Sequence, residues 1–295
     1  MIVITTPTGQ IGRQVLDNLL DSAEAIRVIA RDPSRLAPRV RERVEVVPGP
    51  HNDLGVLTEA FAGADSVFWV LPPDPRAASV EGHCLSFTQP LCEALVSQGV
   101  RRVVGVSTLG RGVAENAGQI SAALAMDELI EKTGVSYRAL EMPGFMENML
   151  RQIEPIRSQG AFFLPMSGDR KLPSCATRDI AAVAAELLLD DSWSGQEGVP
   201  VLGPEDLSAH DMAEIMSEVL ERPVRFQQVP GDAYKATLMG HGMSEAWAQG
   251  MIDMSAEVER GIYDGARSRA PRPTTPTSFR QWCEEVLKPA FSQSP

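Results

Sequence analysis

Seven residues near the amino terminus carry the clearest chemistry in the sequence: Thr6, Pro7, Thr8, Gly9, Gln10, Ile11 and Gly12. They follow a short β-branched run, Ile2–Ile4, and open a stretch of helical spacing over 11–20. In a strand–turn–helix setting Gly9 lets the backbone approach a diphosphate, and Gly12 lets the helix lie against the strand. The first helical amides, which lack intrahelical acceptors, then face the phosphate charge. One position departs from the glycine pattern. The first turn residue is Thr6, which tolerates positive φ poorly, so either the turn is modified or the dinucleotide is held more weakly. The bland alternative is an ordinary glycine-containing β–α turn.

The end of the second β-type run, Ile26–Ala30, adds specificity. Sites for NAD place Asp or Glu there, to accept from a ribose hydroxyl. This chain has Arg31, then Asp32, Pro33, Ser34 and Arg35. A guanidinium at that point clasps a 2′-phosphate through two donors. Arg31 and Arg35 therefore favour NADPH over NADH, the alternative being two solvated surface charges.

No metal site is expected. Cys84, Cys92, Cys175 and Cys283 are scattered without a CxxC pair, and His51, His83, His210 and His241 are equally dispersed. Adjacent His83 and Cys84 have poor geometry for one ion. These thiols read as buried residues of a protein in a reducing cytoplasm. The chain opens directly on a strand, so no signal peptide is expected, and no apolar run is long enough to span a bilayer. The 295 residues, 43% hydrophobic and 22% charged, suit a globular α/β protein with a large core. A net charge of −12 disfavours nucleic acid and anionic lipid as partners. Monomer and homodimer both remain open.

The elements that must position these residues alternate regularly in the first half. Strands are expected at Ile2–Ile4, Ile26–Ala30, 44–47, 66–71, 102–106 and 136–140, and helices at 11–20, Leu54–Phe61, 91–98 and 121–132. Strands apolar on both faces and separated by helices indicate a Rossmann-type, doubly wound parallel sheet. The rhythm breaks after Pro143. The second half reads as a loop or hairpin at 161–169, a helix at Thr177–Leu189 capped by its own Thr, and a strand at 199–202. A capped helix at 208–220, a strand at 224–228, a Met-rich helix at 243–263, a proline loop at 270–276 and a Thr-capped closing helix at 277–287 follow. We therefore expect a dinucleotide-binding domain over 1–150 and a smaller, mostly helical α+β lid over 151–295 for substrate, with interleaving of elements allowed.

The chain resembles the NmrA-like group of atypical short-chain dehydrogenases, which includes NADPH:quinone reductase-like and azoreductase-like members. The likeness spans nearly the whole length. It rests on TPTGQIG at 6–12, ARDPSRL at 30–36, AFAGADSVFWVLPP at 60–73, RRVVGVST at 101–108 and GVSYRALEMPGFMENML at 134–150. It continues in TRDIAAVAAELLLDD at 177–191, LGPEDLSAHDMAEIMSEVLERPVRF at 202–226 and GMSEAWAQGM at 242–251. By position, the resemblance implies that Thr6, Thr8, Gly9, Gln10, Ile11 and Gly12 line the dinucleotide phosphates. Arg31 and Arg35 would face the adenosine 2′-phosphate, and Leu71, Pro72 and Pro73 would pass under the nicotinamide ribose. Ser107 and Thr108 would sit near the nicotinamide, and Pro143, Gly144 and Phe145 would close the far end. Two departures stand out. Pro50 occupies the place where relatives carry an Asp near the adenine. The Tyr-xxx-Lys pair of standard short-chain dehydrogenases is absent, its helix reading Gln119, Ile120, Ser121, Ala122, Ala123.

Without that pair, reduction of a simple ketone lacks its proton donor. A quinone, azo or enone acceptor spreads the charge and needs a donor less. Ser107 and Thr108 are the nearest hydroxyls and the candidate catalytic groups, unless they simply bond backbone at the strand end. Glu147 and Asn148 can orient substrate, or else serve as a polar pair at a helix start. Phe145, Met146, Met149, Phe162, Phe163, Met243 and Trp247 are the apolar candidates for a pliable pocket, or else core. The leading reading is an NADPH-dependent reductase of a quinone-like or conjugated hydrophobic small molecule. A non-catalytic NAD(P)-sensing regulator and a non-redox biosynthetic enzyme are the alternatives.

Overall fold

Runs of Val, Ile, Phe and Trp too short and too apolar for surface helices pair side by side in this chain. The computed structural model describes residues 1–266 and 274–293. Six strands come from the first half: β1 Ile2–Ile4, β2 Ile26–Ala30, β3 Glu45–Pro48, β4 Ser66–Trp69, β5 Arg102–Thr108 and β6 Ser136–Met142. They are parallel and ordered 6-5-4-1-2-3, and Gln196–Pro200 adds a seventh parallel strand beside β6. The order reverses between β1 and β4, which opens a crevice at their carboxyl ends, the place where such sheets take ligands.

Helices cover both faces. On one side lie α1 (Gln10–Leu19) and, from the second half, Thr177–Leu189; on the other lie α3 (Leu54–Phe61), α4 (Val80–Gln98) and α5 (Gln119–Glu131), with the short α2 (Pro38–Arg43) between β2 and β3. Every residue of β1, β2 and β4 is buried, which is why these strands do not alternate with polar residues. In chain order the second half supplies β7 (Gly144–Phe145), α6 (Ile153–Gln159), β8 (Ala161–Leu164), β9 (Leu172–Cys175), α7 (Thr177–Leu189) and β10 (Gln196–Pro200). Then come β11 (Asp206–Leu207), α8 (Ala209–Leu220), β12 (Arg225–Gln228), α9 (Gly231–Gly240), α10 (Glu245–Arg260) and a closing helix α11 over 279–292. A separate core, centred on Met146, Phe162, Met216, Phe279 and Trp282, holds most of these together.

Several local expectations change. The segment at 161–169 is no hairpin: β8 pairs in parallel with the distant β12. Helix α4 starts at Val80, not near 91. Ser79 caps it by accepting from the Gly82 amide at 3.0 Å, and Pro90 is tolerated because the carbonyl it frees belongs to exposed Ser86. The turn at Pro33–Arg35 and helices α2 and α9 were not expected. Of the loop at 270–276, residues 270–273 lie outside the described residues.

Thr177 does not cap its own helix. Ala176 holds the cap position, and the Thr177 amide and hydroxyl donate instead to the Glu147 carboxylate at 3.1 and 2.8 Å. Trp282 Nε1 donates to the same carboxylate at 3.2 Å. The closing helix is capped by Ser278, while Thr277 donates to Asp179. Glu147 thus ties two distant segments, its own and the closing helix, to the start of α7. Glu147→Ala should lower the free energy of urea unfolding by about 1–3 kcal/mol, with Glu147→Gln losing less.

Candidate dinucleotide and acceptor site

The first turn answers the question that Thr6 raised. Among the described residues, positive φ at non-glycine positions occurs only at Asn116 and Glu221, so Thr6 takes its place without strain. The Gly9 amide donates to the Thr6 carbonyl at 3.0 Å, and Gly9 becomes the cap of α1 in an extended conformation. A Cβ on Gly12 would fall 2.0 Å from the Thr6 carbonyl oxygen, so only glycine lets α1 come this close. The start of α1 has no side-chain cap and no acid in its first turn. Its free amides and positive dipole end therefore point toward the crevice, a ready seat for a diphosphate. Thr5 fixes the loop, donating to the Phe68 carbonyl at 3.0 Å.

At the end of β2 the acid nearest the expected ribose is already engaged. The Asp32 carboxylate accepts from the Ser34 amide at 3.0 Å and the Ser34 hydroxyl at 2.6 Å, bonds that hold its pKa below the usual range. Arg31 and Arg35 are exposed, and among the described residues their guanidinium groups make no hydrogen bond or ion pair. Two idle guanidiniums beside an uncapped helix start fit a 2′-phosphorylated dinucleotide.

His51, two residues past Gly49 after β3, stands behind this seat. Its Nε2 lies 3.1 Å from the Val70 carbonyl, and its ring meets Trp69 and Phe87 edge-on at 5.4 and 5.0 Å. His83 continues the row, with Nε2 2.9 Å from the Pro72 carbonyl and its ring against Phe87 and, from α10, Trp247. These contacts brace the Val70–Leu71–Pro72 segment from behind.

At the carboxyl end of β5, where the nicotinamide is expected, Thr108 donates to the Leu109 carbonyl, and Ser107 donates to the buried carboxylate of Asp127. Tyr137 also donates to Asp127, at 2.7 Å, and Arg111 pairs with it at 2.9 Å. Burial pushes Asp127 up to about 6, against these hydrogen bonds and Arg111, which pull it down. Tyr263, close after α10, stands within hydrogen-bonding reach of Thr108, its phenol pushed up to about 12 by burial. Pro143 is buried, Gly144 exposed, and Phe145 half-buried where β7 pairs with β9. Tyr263, Asp127, His51 and His83 were not among the expected site residues.

The place of the missing Tyr-xxx-Lys pair is occupied by packing. Gln119 Nε2 donates to the Trp247 carbonyl at 3.2 Å, and a Cβ on Gly118 would fall 2.0 Å from the Gly250 carbonyl oxygen. Helix α10 therefore docks directly on the start of α5.

The apolar pocket expected from sequence is only partly available. Met146, Met149 and Phe162 are buried in the second-half core, and Glu147 is committed to Thr177 and Trp282, so these four are structural. Phe145, Phe163 and Met243 are half-buried, Asn148 is exposed, and Trp247 is buried against His83. A groove of about 580 Å³, lined by Leu95, Arg101, Ser136 and Trp193 among others, lies at the amino ends of β5 and β6. That is the opposite edge from the one where open α/β sheets bind ligands. Among the described residues no cluster of His, Cys, Asp or Glu can hold a metal, and no helix is long and apolar enough to cross a membrane.

The doubly wound sheet and its uncapped first helix define a Rossmann-type nucleotide-binding protein. Residues 1–266 match the NmrA-like family, and the chain belongs to it. It is 31% identical over 296 aligned residues to (4-alkanoyl-5-oxo-2,5-dihydrofuran-3-yl)methyl phosphate reductase of Streptomyces griseus, covering 97% of both chains. It is 27% identical over 277 residues to the NAD(P)H azoreductase of Xenophilus azovorans, covering 93% of both. Its fold is similar to that of the NADPH-dependent quinone oxidoreductase of Escherichia coli complexed with NADPH. The TM-score is 0.81 at 20% identity, covering 97% of this chain and 100% of that one.

The pKa of His51 is held down to about 4, chiefly by burial, with Arg31 adding repulsion and the bond to Val70 opposing. The unfolded chain takes up this proton from pH 6.5 downward, the folded chain only near 4. Stability from His51 is therefore full above 6.5 and lost as pH falls toward 4. Urea unfolding across that window should show the slope in the wild type and a flatter one in His51→Gln.

Proposed function

We propose that this chain is an NADPH-dependent reductase of a conjugated, hydrophobic small molecule. The observation that carries the cofactor assignment is the pair of unengaged guanidiniums, Arg31 and Arg35, beside the uncapped start of α1. The amides of Gln10, Ile11 and Gly12 and the exposed Thr8 and Gly9 hold the diphosphate. Leu71, Pro72 and Pro73 run beneath the ribose, and Pro143, Gly144 and Phe145 close the far end. When bound, the reduced nicotinamide supplies a hydride.

Ser107, Thr108 and Phe145 border the space for the acceptor, with Phe163, Met243 and Asn148 as further wall candidates from the second half. The site's own contribution is to hold the reactants close and dry, which alone lowers such barriers by several kcal/mol, on the order of 7–11 in the best cases. Because α10 fills the place of a Tyr-xxx-Lys pair, an acceptor that delocalises the incoming charge is favoured over an isolated ketone. The names of the two relatives support this: one reduces a ring whose double bond carries an alkanoyl group and a lactone carbonyl on the same carbon, the other an azo bond.

Arg31→Ala should weaken NADPH binding about 10- to 100-fold and leave NADH binding within about twofold, because the lost charge-assisted bonds reach only the 2′-phosphate. Equilibrium fluorescence titration with both dinucleotides checks this. Equal losses for the two would remove the assignment. Steady-state oxidation of NADPH with quinones and acylated butenolides, against a simple cyclic ketone, tests the acceptor class.

A further inference from the structure

The face of β5 and β6 turned toward α5 carries a polar cluster for which positioning of a hydride donor gives no use. Ser107 and Glu141 are register partners on that face. Tyr137 lies over Gly105, where a Cβ would fall 2.4 Å from the phenol oxygen. Asp127 enters from α5, is 0% exposed, and accepts from Ser107, Tyr137 and Arg111. Arg111, a third exposed, also pairs with Glu131 at 2.8 Å and Glu141 at 3.1 Å. Three carboxylates around one guanidinium sum to −2, and a proton on the most buried of them relieves the excess. Anchoring the loop after β5 would need only one of these acids.

Ser107 sits between Asp127 and the carboxyl edge of the sheet. A hydroxyl has one donor and two acceptor sites. While Asp127 is ionised, the Ser107 hydrogen is turned inward to it. When Asp127 is protonated, its O–H points to the Ser107 oxygen, and the Ser107 hydrogen is released toward the acceptor space.

We propose that Asp127 is the proton store of the site, refilled from solvent past Arg111 and Glu131 and discharged through the Ser107 hydroxyl to the reduced acceptor. This rests on the reductase reading above. Hydride adds to the acceptor carbon, the conjugated π pair shifts, and negative charge gathers on the acceptor oxygen. The Ser107 O–H bond breaks as the acceptor O–H bond forms. The Asp127 O–H bond breaks as the Ser107 O–H bond is restored, and water returns a proton to Asp127. Ser107 is then the catalytic residue and Asp127 a positioning and proton-holding one.

The groups facing Asp127 are Ser107 on β5, Tyr137 on β6, Arg111 on the following loop and Glu131 on its own helix, with Glu141 on β6 acting through Arg111. The other helices against α5 meet it elsewhere: α4 directs Cys92 at the Leu129 carbonyl, and α10 offers its Trp247 carbonyl to Gln119.

The test pairs a titration of the protein alone with turnover. Carbon-13 NMR of the Asp127 carboxyl should show it titrating near pH 6 in the wild type and displaced in Ser107→Ala. Titration at an ordinary carboxylate pH means the store is empty at neutrality and overturns the proposal whatever the turnover. With a quinone acceptor, wild-type kcat should fall about tenfold per pH unit above the Asp127 titration, as the protonated fraction falls. Asp127→Asn should lower kcat by about 10- to 100-fold, flatten that limb, and leave KM for NADPH within about twofold, with Asp127→Glu recovering part of the limb. Ser107→Ala, which keeps the carboxyl and guards against misfolding of the Asp127 variants, should do the same, and the double variant should lose no more. An unchanged pH limb in either variant overturns the relay while sparing the reductase. So does loss of the limb in Tyr263→Phe but not in Ser107→Ala, which would move proton delivery to the hydroxyl beside Thr108. A normal titration with no turnover of any conjugated acceptor removes the reductase reading, and the relay with it.

Discussion

Helix α1 can rest against the first turn only because Gly12 has no side chain, since any Cβ would meet the Thr6 carbonyl oxygen. That approach sets where the free amides of the helix start lie, and hence where a diphosphate can be held. Thr5 and the Phe68 carbonyl then link the turn to β4, so the loop, the strand-order reversal and the Val70–Pro72 segment form one rigid unit. Everything else in the crevice is measured from this seat. The arginines lie one strand to one side, and the hydroxyls of Ser107 and Thr108 lie two strands to the other.

The acidic protein thus keeps a small basic corner beside an amide cradle, and a local arrangement overrides the global charge. The same division of labour shapes the other end. Standard relatives of the fold place a proton-donating pair on α5, but here the start of that helix is a docking surface for α10. The polar chemistry sits deeper, on the third turn, where Asp127 meets Ser107 and Tyr137.

The sheet was legible because its strands are apolar on both faces and short, and Ile26–Ala30, Leu54–Phe61 and Thr177–Leu189 emerge with the bounds that periodicity gives. The glycine-bearing turn at the start of α1 and the exposed place of the two arginines after β2 were legible because local spacing alone defines them. What escaped was set by distant partners. Thr177 looks like a cap, but the capping oxygen comes from Glu147, thirty residues earlier. Met146, Met149 and Phe162 look like pocket lining, but the closing helix covers them with Phe279 and Trp282. Asp127 lies on an apolar helix one turn before Glu131, and its burial follows only when Tyr137 and Ser107 are seen to need an acceptor. A buried tyrosine in a strand, with no nearby partner in sequence, was the available signal for it. Pro90 hid half of α4 because its cost depends on whether the freed carbonyl can reach water.

The seventh strand of the main sheet, Gln196–Pro200, is supplied after α7, the helix that packs on α1. Vectorial synthesis therefore leaves the first 150 residues as an unfinished object. As they emerge, β6 presents a bare edge, and one face of the sheet is covered by α1 without α7. Unpaired edges and uncovered apolar faces are the features that promote misassociation of nascent chains. The dinucleotide-binding layer can close only once about two hundred residues have left the ribosome, so its maturation is coupled to synthesis of the second half of the chain.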